Sequence, residues 1–272
     1  MIFIGIVGAL SPSGQKMIEA LQLYPQDYKV IWTVDENYAA DNRQMSQFKD
    51  LENVLILGLQ PSLVLDFGSY KTTYERAKIY RRYAVPAIMQ GVLSAEELSF
   101  LSNCGQANKN GEHYAPLVVE PDFSIVKIQM VKDLLCQVQH LTCKVQRIYV
   151  RVKHNAHTED ICKMWLYWAT MINAVLGEYT ELPTAHASGF TLGFVRVSEQ
   201  YKPEMEPNDE HLSIKLLLDK PNESLEWNLA CSLTDTRVEG ALLLLEWYKS
   251  ERENLQDLVF GQVSVEVLPL LI

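Results

Sequence analysis

The first half of the chain alternates short apolar runs with segments in which apolar residues recur every three or four positions. Short apolar runs predict buried strands, and the second pattern predicts helices that cover them. Regular alternation of the two is typical of a parallel sheet with helices on both faces. The predicted strands are 2–7, 29–34, 54–57, 63–67, 85–89 and 115–119, and the predicted helices are 14–23, 72–83 and 94–101.

The pattern changes after about residue 122, where a helix predicted at 124–138 leads into an alternating strand at 145–153. We expect an α/β chain with a Rossmann-type doubly wound parallel sheet in residues 1–122, completed by about 239–272. Residues 123–238 are expected to form a C-terminal α+β domain with an open mixed sheet. Its later elements are a long apolar helix at 162–176, three strands of antiparallel type at 189–198, 211–218 and 224–233, and a helix at 238–253.

Composition narrows the range of functions. Acidic residues outnumber basic ones by 34 to 24, and the net charge of -10 argues against nucleic acid as the main partner. The five cysteines lack the spacing of a metal site or a redox pair, so we predict reduced thiols and no metal. The apolar segment 1–10 is too short to span a membrane and lacks the features of a secretory signal. We expect a cytoplasmic protein that binds a small molecule and no membrane.

The most basic part of the chain lies in the helix predicted at 72–83 and just before it. Cations at helical spacing more often form a solvated face than an anion site, so we predict that these side chains contact water. They are Lys71, Arg76, Lys78, Arg81 and Arg82.

A glycine-containing turn, residues 5–14, joins the first predicted strand to the first helix. Gly8 permits a tight turn, and Gly14 follows six residues later, one more than in the usual dinucleotide fingerprint. A pyrophosphate can approach bare backbone here and accept N–H bonds at the positive end of the helix. The turn predicts cofactor contacts at Gly8, Ala9, Ser13 and Gly14. The alternative is a glycine turn that only packs the helix against the strand.

Two adjacent carboxylates, Asp35 and Glu36, end the second predicted strand about twenty residues downstream of the turn. A carboxylate at this place can accept hydrogen bonds from the ribose hydroxyls of an adenosine. We assign that role to Asp35, and because an acid here repels a 2'-phosphate, NADH is favoured over NADPH. The alternative is a solvated strand end.

Two histidines, His154 and His157, follow the strand predicted at 145–153. An imidazole titrates near neutrality, so one of them can donate a proton as hydride arrives on a neighbouring carbon. The alternatives are surface histidines in a loop and a metal site formed with the nearby Glu159 and Asp160, which no further residue supports.

Several segments, in order along nearly the whole chain, resemble the 4-hydroxy-tetrahydrodipicolinate reductase (dihydrodipicolinate reductase) family. The resemblance implies a dinucleotide-binding domain, a second domain whose open sheet builds a homotetramer, and hydride transfer from NADH or NADPH to a cyclic imine-type substrate. It places Phe67 and Gly68 along the cofactor and makes His154 the acid near the substrate. The matching segments are 4–9 with Gly14, 64–67, 91–101, 121–124, His154, 189–190 with Arg196, and 239–241.

The departures from this family fall mostly on the chemistry. Thr158 stands where the family has a catalytic lysine, and a threonine carries no positive charge. The family's Pro-Ser-Gly-Thr loop is replaced by Cys-Lys-Met-Trp at 162–165, which lacks the glycine. His157, Thr158 and Lys163 are the remaining candidates for substrate contact. Two functions therefore stay open: a reductase with a changed substrate, and a catalytically silent relative that binds nucleotide or a protein partner.

Overall fold

A computed structural model describes residues 1–39, 41, 46–91, 93–103, 115–120, 145–154, 190–196, 209–218, 224–251 and 259–260. The chain divides into two compact units. The first comprises residues 1–123 and 237–272, and the second comprises residues 124–236. The helices predicted at 124–138 and 162–176 lie outside the described residues.

The described strands and helices follow the predicted order along most of the chain. The strands are β1 Ile2–Val7, β2 Tyr28–Val34, β3 Gln47–Phe48, β4 Leu63–Asp66, β5 Ala87–Gln90, β6 Leu117–Glu120, β7 Val145–His154, β8 Phe190–Arg196, β9 Asp209–Leu218, β10 Ser224–Ser232 and β11 Val259–Phe260. The helices are α1 Pro12–Gln22, α2 Leu51–Ile56, α3 Thr73–Arg82, α4 Ala95–Asn103 and α5 Leu233–Glu251. A 3-10 turn, Tyr70–Thr72, precedes α3.

The strand predicted at 54–57 is wrong, because most of these residues belong to α2. Asp50 begins this helix by accepting a hydrogen bond from the backbone N–H of Asn53 over 3.0 Å. Leu51, Val54 and Leu55 are buried at helical spacing. A short apolar run fits a buried strand and a short helix equally well, so the cap decides between them.

The first unit is built on a parallel sheet whose described strands lie in the order β11-β6-β5-β4-β1-β2-β3. From β1 the chain moves outward through β2 to β3, then crosses back to β4 beside β1 and continues through β5 to β6. The direction of winding therefore reverses between β1 and β4. In sheets of this kind, ligands bind outside the carboxyl ends of the strands at this reversal. The order confirms the predicted Rossmann-type doubly wound sheet.

Both faces of this sheet are covered. Consecutive residues of β4, for example Leu63 and Val64, point to opposite faces, and both are fully buried. On one face, Val64 shares a hydrophobic cluster with Val54 of α2, Ala77 of α3 and Leu101 of α4. Burial on both faces explains why the central strands read as continuous apolar runs.

Helix α5 returns to the first unit from Arg237 onward. The hydroxyl of Tyr28 donates to Glu246, and the hydroxyl of Tyr248 donates to the carbonyl of Ser62 over 3.2 Å. These bonds attach α5 to the beginning of β2 and to the segment that enters β4. Among the described helices, none combines the length and apolar character needed to cross a membrane.

The second unit contains a mixed sheet with the strand order β10-β9-β7-β8. Strands β10 and β9 pair antiparallel, as do β9 and β7, in agreement with the prediction. The prediction that β8 is also antiparallel is wrong, because β8 pairs parallel with β7. Alternation along a strand reports which face is buried and not the direction of its neighbour.

Candidate functional site

A cleft of about 380 Å³ lies at the carboxyl ends of β1, β2 and β4, where the winding of the parallel sheet reverses. Its walls come from the turn after β1, the end of β2, the beginning of α2, the loop after β4 and one face of α3. The residues that line it include Gly8, Leu10, Ser11, Asp35, Glu36, Asn37, Phe67, Gly68, Ser69, Thr72 and Arg76.

Two glycines make the turn after β1 possible. Gly8 has a φ of +70°, and a Cβ at this position would lie 2.6 Å from the backbone carbonyl of Phe67. A Cβ on Gly14 would lie 2.3 Å from the carbonyl oxygen of Gly8. Gly8 therefore lets the turn lie directly on the loop after β4, and Gly14 lets α1 lie directly on the turn.

The turn is also fixed by its own hydrogen bonds. Ser11 is the N-cap of α1: its Oγ accepts from the N–H of Gly14 over 3.0 Å and donates to the carbonyl of Gly8 over 2.7 Å. Pro12 follows in the first helical turn, where its missing N–H costs nothing. Ala9 and Ser13 are buried behind the turn. Of the four residues predicted to contact the phosphates, Gly8 lines the cleft. The other three, Ala9, Ser13 and Gly14, are buried in the packing behind the turn.

The two carboxylates that end β2 have different surroundings. Asp35 is 6% exposed, and its Oδ2 accepts from the N–H of Leu10 over 2.8 Å. Its Oδ1 accepts from the backbone N–H and the side-chain amide of Asn37, over 3.0 and 3.1 Å. Glu36 also lines the cleft and is exposed. Asp35 therefore braces the glycine turn, and Glu36 presents the more accessible carboxylate to the cleft.

A buried ion pair that was missed in the sequence lies at the end of β4, and of its two members only Arg76 lines the cleft. Asp66 ends β4 with no exposed surface, and its Oδ2 accepts from Nε of Arg76 and from the hydroxyl of Tyr80, each over 2.7 Å. Its Oδ1 accepts from the N–H of Gly68 over 2.8 Å. The prediction of a solvated cationic face is wrong for Arg76 and Arg81, which are 8% and 6% exposed.

The carboxylate of Asp66 affects the protonation of both of its partners, Arg76 and Tyr80. Burial lowers the pKa of the Arg76 guanidinium, but the charge of Asp66, its hydrogen bond to Arg76 and the nearby Tyr80 and Glu36 together outweigh that effect and raise the pKa above its usual range. Burial and the neighbouring charge of Asp66 both raise the pKa of the Tyr80 hydroxyl well above its usual value. At neutral pH, Arg76 is therefore cationic and Tyr80 keeps its proton as a donor to Asp66.

A sequence signal for this pair does exist. Asp66 closes an apolar run, Leu63–Asp66, that is buried on both faces, and an ionised carboxylate in such a place needs a partner. The next helix supplies the cations, and Arg76 lies on its buried side.

The predicted site residues do not all fall on this cleft. Gly8, Asp35, Phe67 and Gly68 line it together. His154 is the last residue of β7, and its backbone is in register with Arg196 of β8. The predicted substrate contacts His157, Thr158 and Lys163 lie outside the described residues.

Comparison with known proteins identifies the fold. No protein-family model and no curated protein matches the chain. Among solved structures, dihydrodipicolinate reductase from Paenisporosarcina sp. TG-14, solved with dipicolinate, is 15% identical with a TM-score of 0.58, over 97% of this chain and 98% of that one. GenD2 from gentamicin A biosynthesis, solved with NAD, is 12% identical with a TM-score of 0.62, over 99% and 92% of the two chains.

A third similar structure is scyllo-inositol dehydrogenase from Lactobacillus casei, solved with NAD(H) and scyllo-inositol. It is 11% identical with a TM-score of 0.58, over 100% of this chain and 95% of that one. One of the three is a reductase and one a dehydrogenase, and two of the three structures, GenD2 and scyllo-inositol dehydrogenase, hold NAD or NAD(H). At these identities the similarity shows a common fold that extends over nearly the whole chain.

Proposed function

We propose that this chain is an oxidoreductase that uses a nicotinamide dinucleotide, and that the cleft binds the adenosine diphosphate half of this cofactor. The observation that carries the proposal is the position of the glycine turn at the winding reversal between β1 and β4. There the bare backbone of Gly8 and the N-terminal end of α1 adjoin one cleft, and both features suit a pyrophosphate. The fold shared with two structures that hold NAD or NAD(H) supports the same cofactor.

The charge at the end of β2 supports NADH over NADPH. Asp35 and Glu36 both line the cleft, and Glu36 is exposed there. A carboxylate can accept hydrogen bonds from ribose hydroxyls, whereas it repels a 2'-phosphate. Within this proposal we assign the ribose contact to Glu36 rather than to Asp35, because Asp35 is buried and already accepts three hydrogen bonds.

For the reaction, we propose hydride transfer to a cyclic imine-type substrate that differs from the usual one of the dihydrodipicolinate reductases. The proposal rests on the sequence resemblance and on the shared fold. His154 would act as the proton donor, and His157, Thr158 and Lys163 would contact the substrate. The changed motif at 162–165 is the reason to expect a changed substrate. The mixed sheet of the second unit would form the contacts of a homotetramer in the cytoplasm.

A second candidate function is nucleotide binding without turnover. Thr158 favours it, because a hydroxyl cannot replace the positive charge of a lysine at neutral pH. In that case the fold would serve to bind the nucleotide or a protein partner.

Titration of the purified chain with NADH and NADPH tests these proposals. Binding is followed by nicotinamide fluorescence and by thermal shift, because a ligand of the native state raises its stability by about 2.7 kcal/mol at a hundred times Kd. Oxidation of NADH is then measured with the dihydrodipicolinate precursor and with other cyclic imines. Binding with turnover supports the reductase, and binding without turnover supports the second candidate. Absence of binding overturns both the reductase and nucleotide binding without turnover, and leaves a protein partner as the remaining role of the fold.

A Gly14→Val variant ties the binding to the turn. Its Cβ would lie 2.3 Å from the carbonyl oxygen of Gly8, so α1 cannot keep its place on the turn. We expect the thermal shift with NADH to disappear, while circular dichroism shows whether the sheet and the helices remain. An unchanged thermal shift in a folded Gly14→Val variant would place the nucleotide elsewhere.

A further inference from the structure

We propose that the buried pair of Asp66 and Arg76 is a positioning device that holds the loop after β4 in the shape that the nucleotide needs. The proposal deepens the proposed function, because it concerns the same cleft and presumes that the cleft binds a nucleotide. The sequence predicted neither residue as a contact of the cofactor. Three observations support the positioning role: the bonds of the guanidinium, the contact between the loop and the glycine turn, and an unfilled donor.

The two side chains fix the loop from both ends. Nε of Arg76 donates to Oδ2 of Asp66 over 2.7 Å, and Oδ1 of Asp66 accepts from the N–H of Gly68 over 2.8 Å. Nη1 of Arg76 donates to the carbonyl of Ser69 over 2.9 Å and to the hydroxyl of Thr72. One guanidinium and one carboxylate therefore determine the path of residues 68–72, and several of these residues line the cleft.

The loop in turn rests against the glycine turn. The N–H of Phe67 donates to the carbonyl of Val7 over 2.9 Å, and a Cβ on Gly8 would strike the backbone of Phe67. A Cβ on Gly68 would likewise lie 2.7 Å from Cζ of Arg76. The backbone of Gly8 contacts the backbone of Phe67, and the backbone of Gly68 contacts the guanidinium of Arg76. Because no flexible side chain lies between them, a shift of Arg76 would move the loop and change the width of the cleft.

The pair is not the most stabilising way to fill this space. The side chain of Arg76 is only 10% exposed, and its Nη2 is buried with no hydrogen-bond partner among the described residues. Burying two charges and leaving one donor unfilled costs more than an uncharged pair of similar volume does. The geometry therefore points to a role in shaping the loop rather than in stability.

The double variant Asp66→Asn with Arg76→Met tests this. The introduced asparagine can still accept from the N–H of Gly68 and can donate to the hydroxyl of Tyr80, while the methionine fills the volume of the arginine without a charge. We expect a melting temperature within about 5 °C of the wild type, since the isosteric replacement of a buried ion pair is often neutral. The Kd for NADH and for ADP should rise about tenfold or more, because the bonds to Ser69 and Thr72 are gone.

Arg76→Lys is the second variant and decides the matter if the double variant does not fold. Lysine keeps the charge beside Asp66 but cannot bond Asp66, Ser69 and Thr72 at once with the same planar geometry. We expect its Kd for NADH to rise at least about fivefold, with the thermal stability nearly retained.

Arg82→Met is the matched control. Arg82 lies on the same helix and pairs with Glu52 over 2.6 Å, but its side chain is 64% exposed and lies outside the cleft lining. The Kd for NADH should not change in this variant. If the double variant binds NADH as well as the wild type does, the positioning role is wrong and the proposed function stands. If the double variant does not fold, the same comparison is made with Arg76→Lys. If the wild type does not bind NADH, the proposed function itself fails.

Discussion

The backbone N–H of Leu10 donates to Oδ2 of Asp35 over 2.8 Å, so the carboxylate that ends β2 is bonded directly to the glycine turn that follows β1. The two residues are 25 positions apart in the chain. Their bond joins two walls of one cleft and occupies one oxygen of the Asp35 carboxylate. Glu36, the next residue, is exposed. Of these two adjacent acids, Asp35 holds the glycine turn in place, and Glu36 lies on the surface of the cleft.

We predict that Asp35→Ala lowers the free energy of unfolding by about 1–3 kcal/mol, because three N–H donors in a partly buried place lose their acceptor. Urea denaturation at neutral pH measures this change. Glu36→Gln is the control, because Glu36 is exposed and surface replacements usually change stability by less than about 0.5 kcal/mol. Equal stability of the two variants would contradict the bracing role of Asp35.

We predict that Glu36→Gln changes the choice of cofactor. Removing the negative charge lessens the repulsion of a 2'-phosphate, so the affinity for NADPH relative to NADH should rise about fivefold at low salt. Fluorescence titration with both cofactors measures the ratio. Glu19→Gln, an exposed acid on α1 outside the cleft lining, should leave the ratio unchanged. If Glu36→Gln binds the two cofactors in the wild-type ratio, the carboxylate does not face the ribose.

Local features of the first unit could be predicted from the sequence because short-range physics decides them. The turn at Gly8 and the helix start at Ser94 are examples. Ser94 and Glu97 form a reciprocal capping box, with N–H donors bonded over 2.7 and 3.2 Å. The continuous apolar strands also identified a sheet covered on both faces. These features depend on residues within a few positions of one another.

The missed features depend on contacts between distant elements. The sequence predicted Arg76 to be one of several surface cations, because helical spacing does not reveal that Asp66 of β4 lies against it. The direction of β8 depends on its pairing with β7, which leaves no trace in its own alternation. Asp35 and Glu36 are neighbouring acids, and the bonds that Asp35 accepts from Leu10 and Asn37 distinguish them. Side-chain direction at the end of a strand is a tertiary property.

We predict that Gly8→Ala weakens NADH binding far more than Gly58→Ala does. Both glycines have a positive φ, of +70° and +74°, so an alanine has a similar backbone cost of about 1–2 kcal/mol at either position. Only at Gly8 would the Cβ lie 2.6 Å from the carbonyl of Phe67, since open space surrounds Gly58. The Kd for NADH should rise at least about tenfold for Gly8→Ala. Similar losses of affinity in both variants would show that the effect is one of general stability.

We predict that stability falls as the pH rises above about 10, and that Tyr80 contributes to this fall. Burial and the charge of Asp66 raise the pKa of Tyr80 in the folded chain, whereas an unfolded tyrosine titrates near 10. Above that pH the folded chain keeps a proton that the unfolded chain has lost. The contribution of Tyr80 is therefore complete below about pH 10 and decreases steadily as the pH rises further.

Urea unfolding between pH 8 and 11, compared for the wild type and Tyr80→Phe, measures that contribution. The variant should be less stable at pH 8 by about 1.5–3 kcal/mol, because Asp66 loses a hydrogen-bond donor in a buried place. It should also lose less stability than the wild type between pH 10 and 11, because phenylalanine has no proton to release. In a pH titration followed by absorbance at 295 nm, some tyrosines ionise only when the chain unfolds. Tyr80→Phe should have one such tyrosine fewer than the wild type. If the free energy of unfolding falls equally with pH in the two proteins, burial and Asp66 do not raise the pKa of Tyr80.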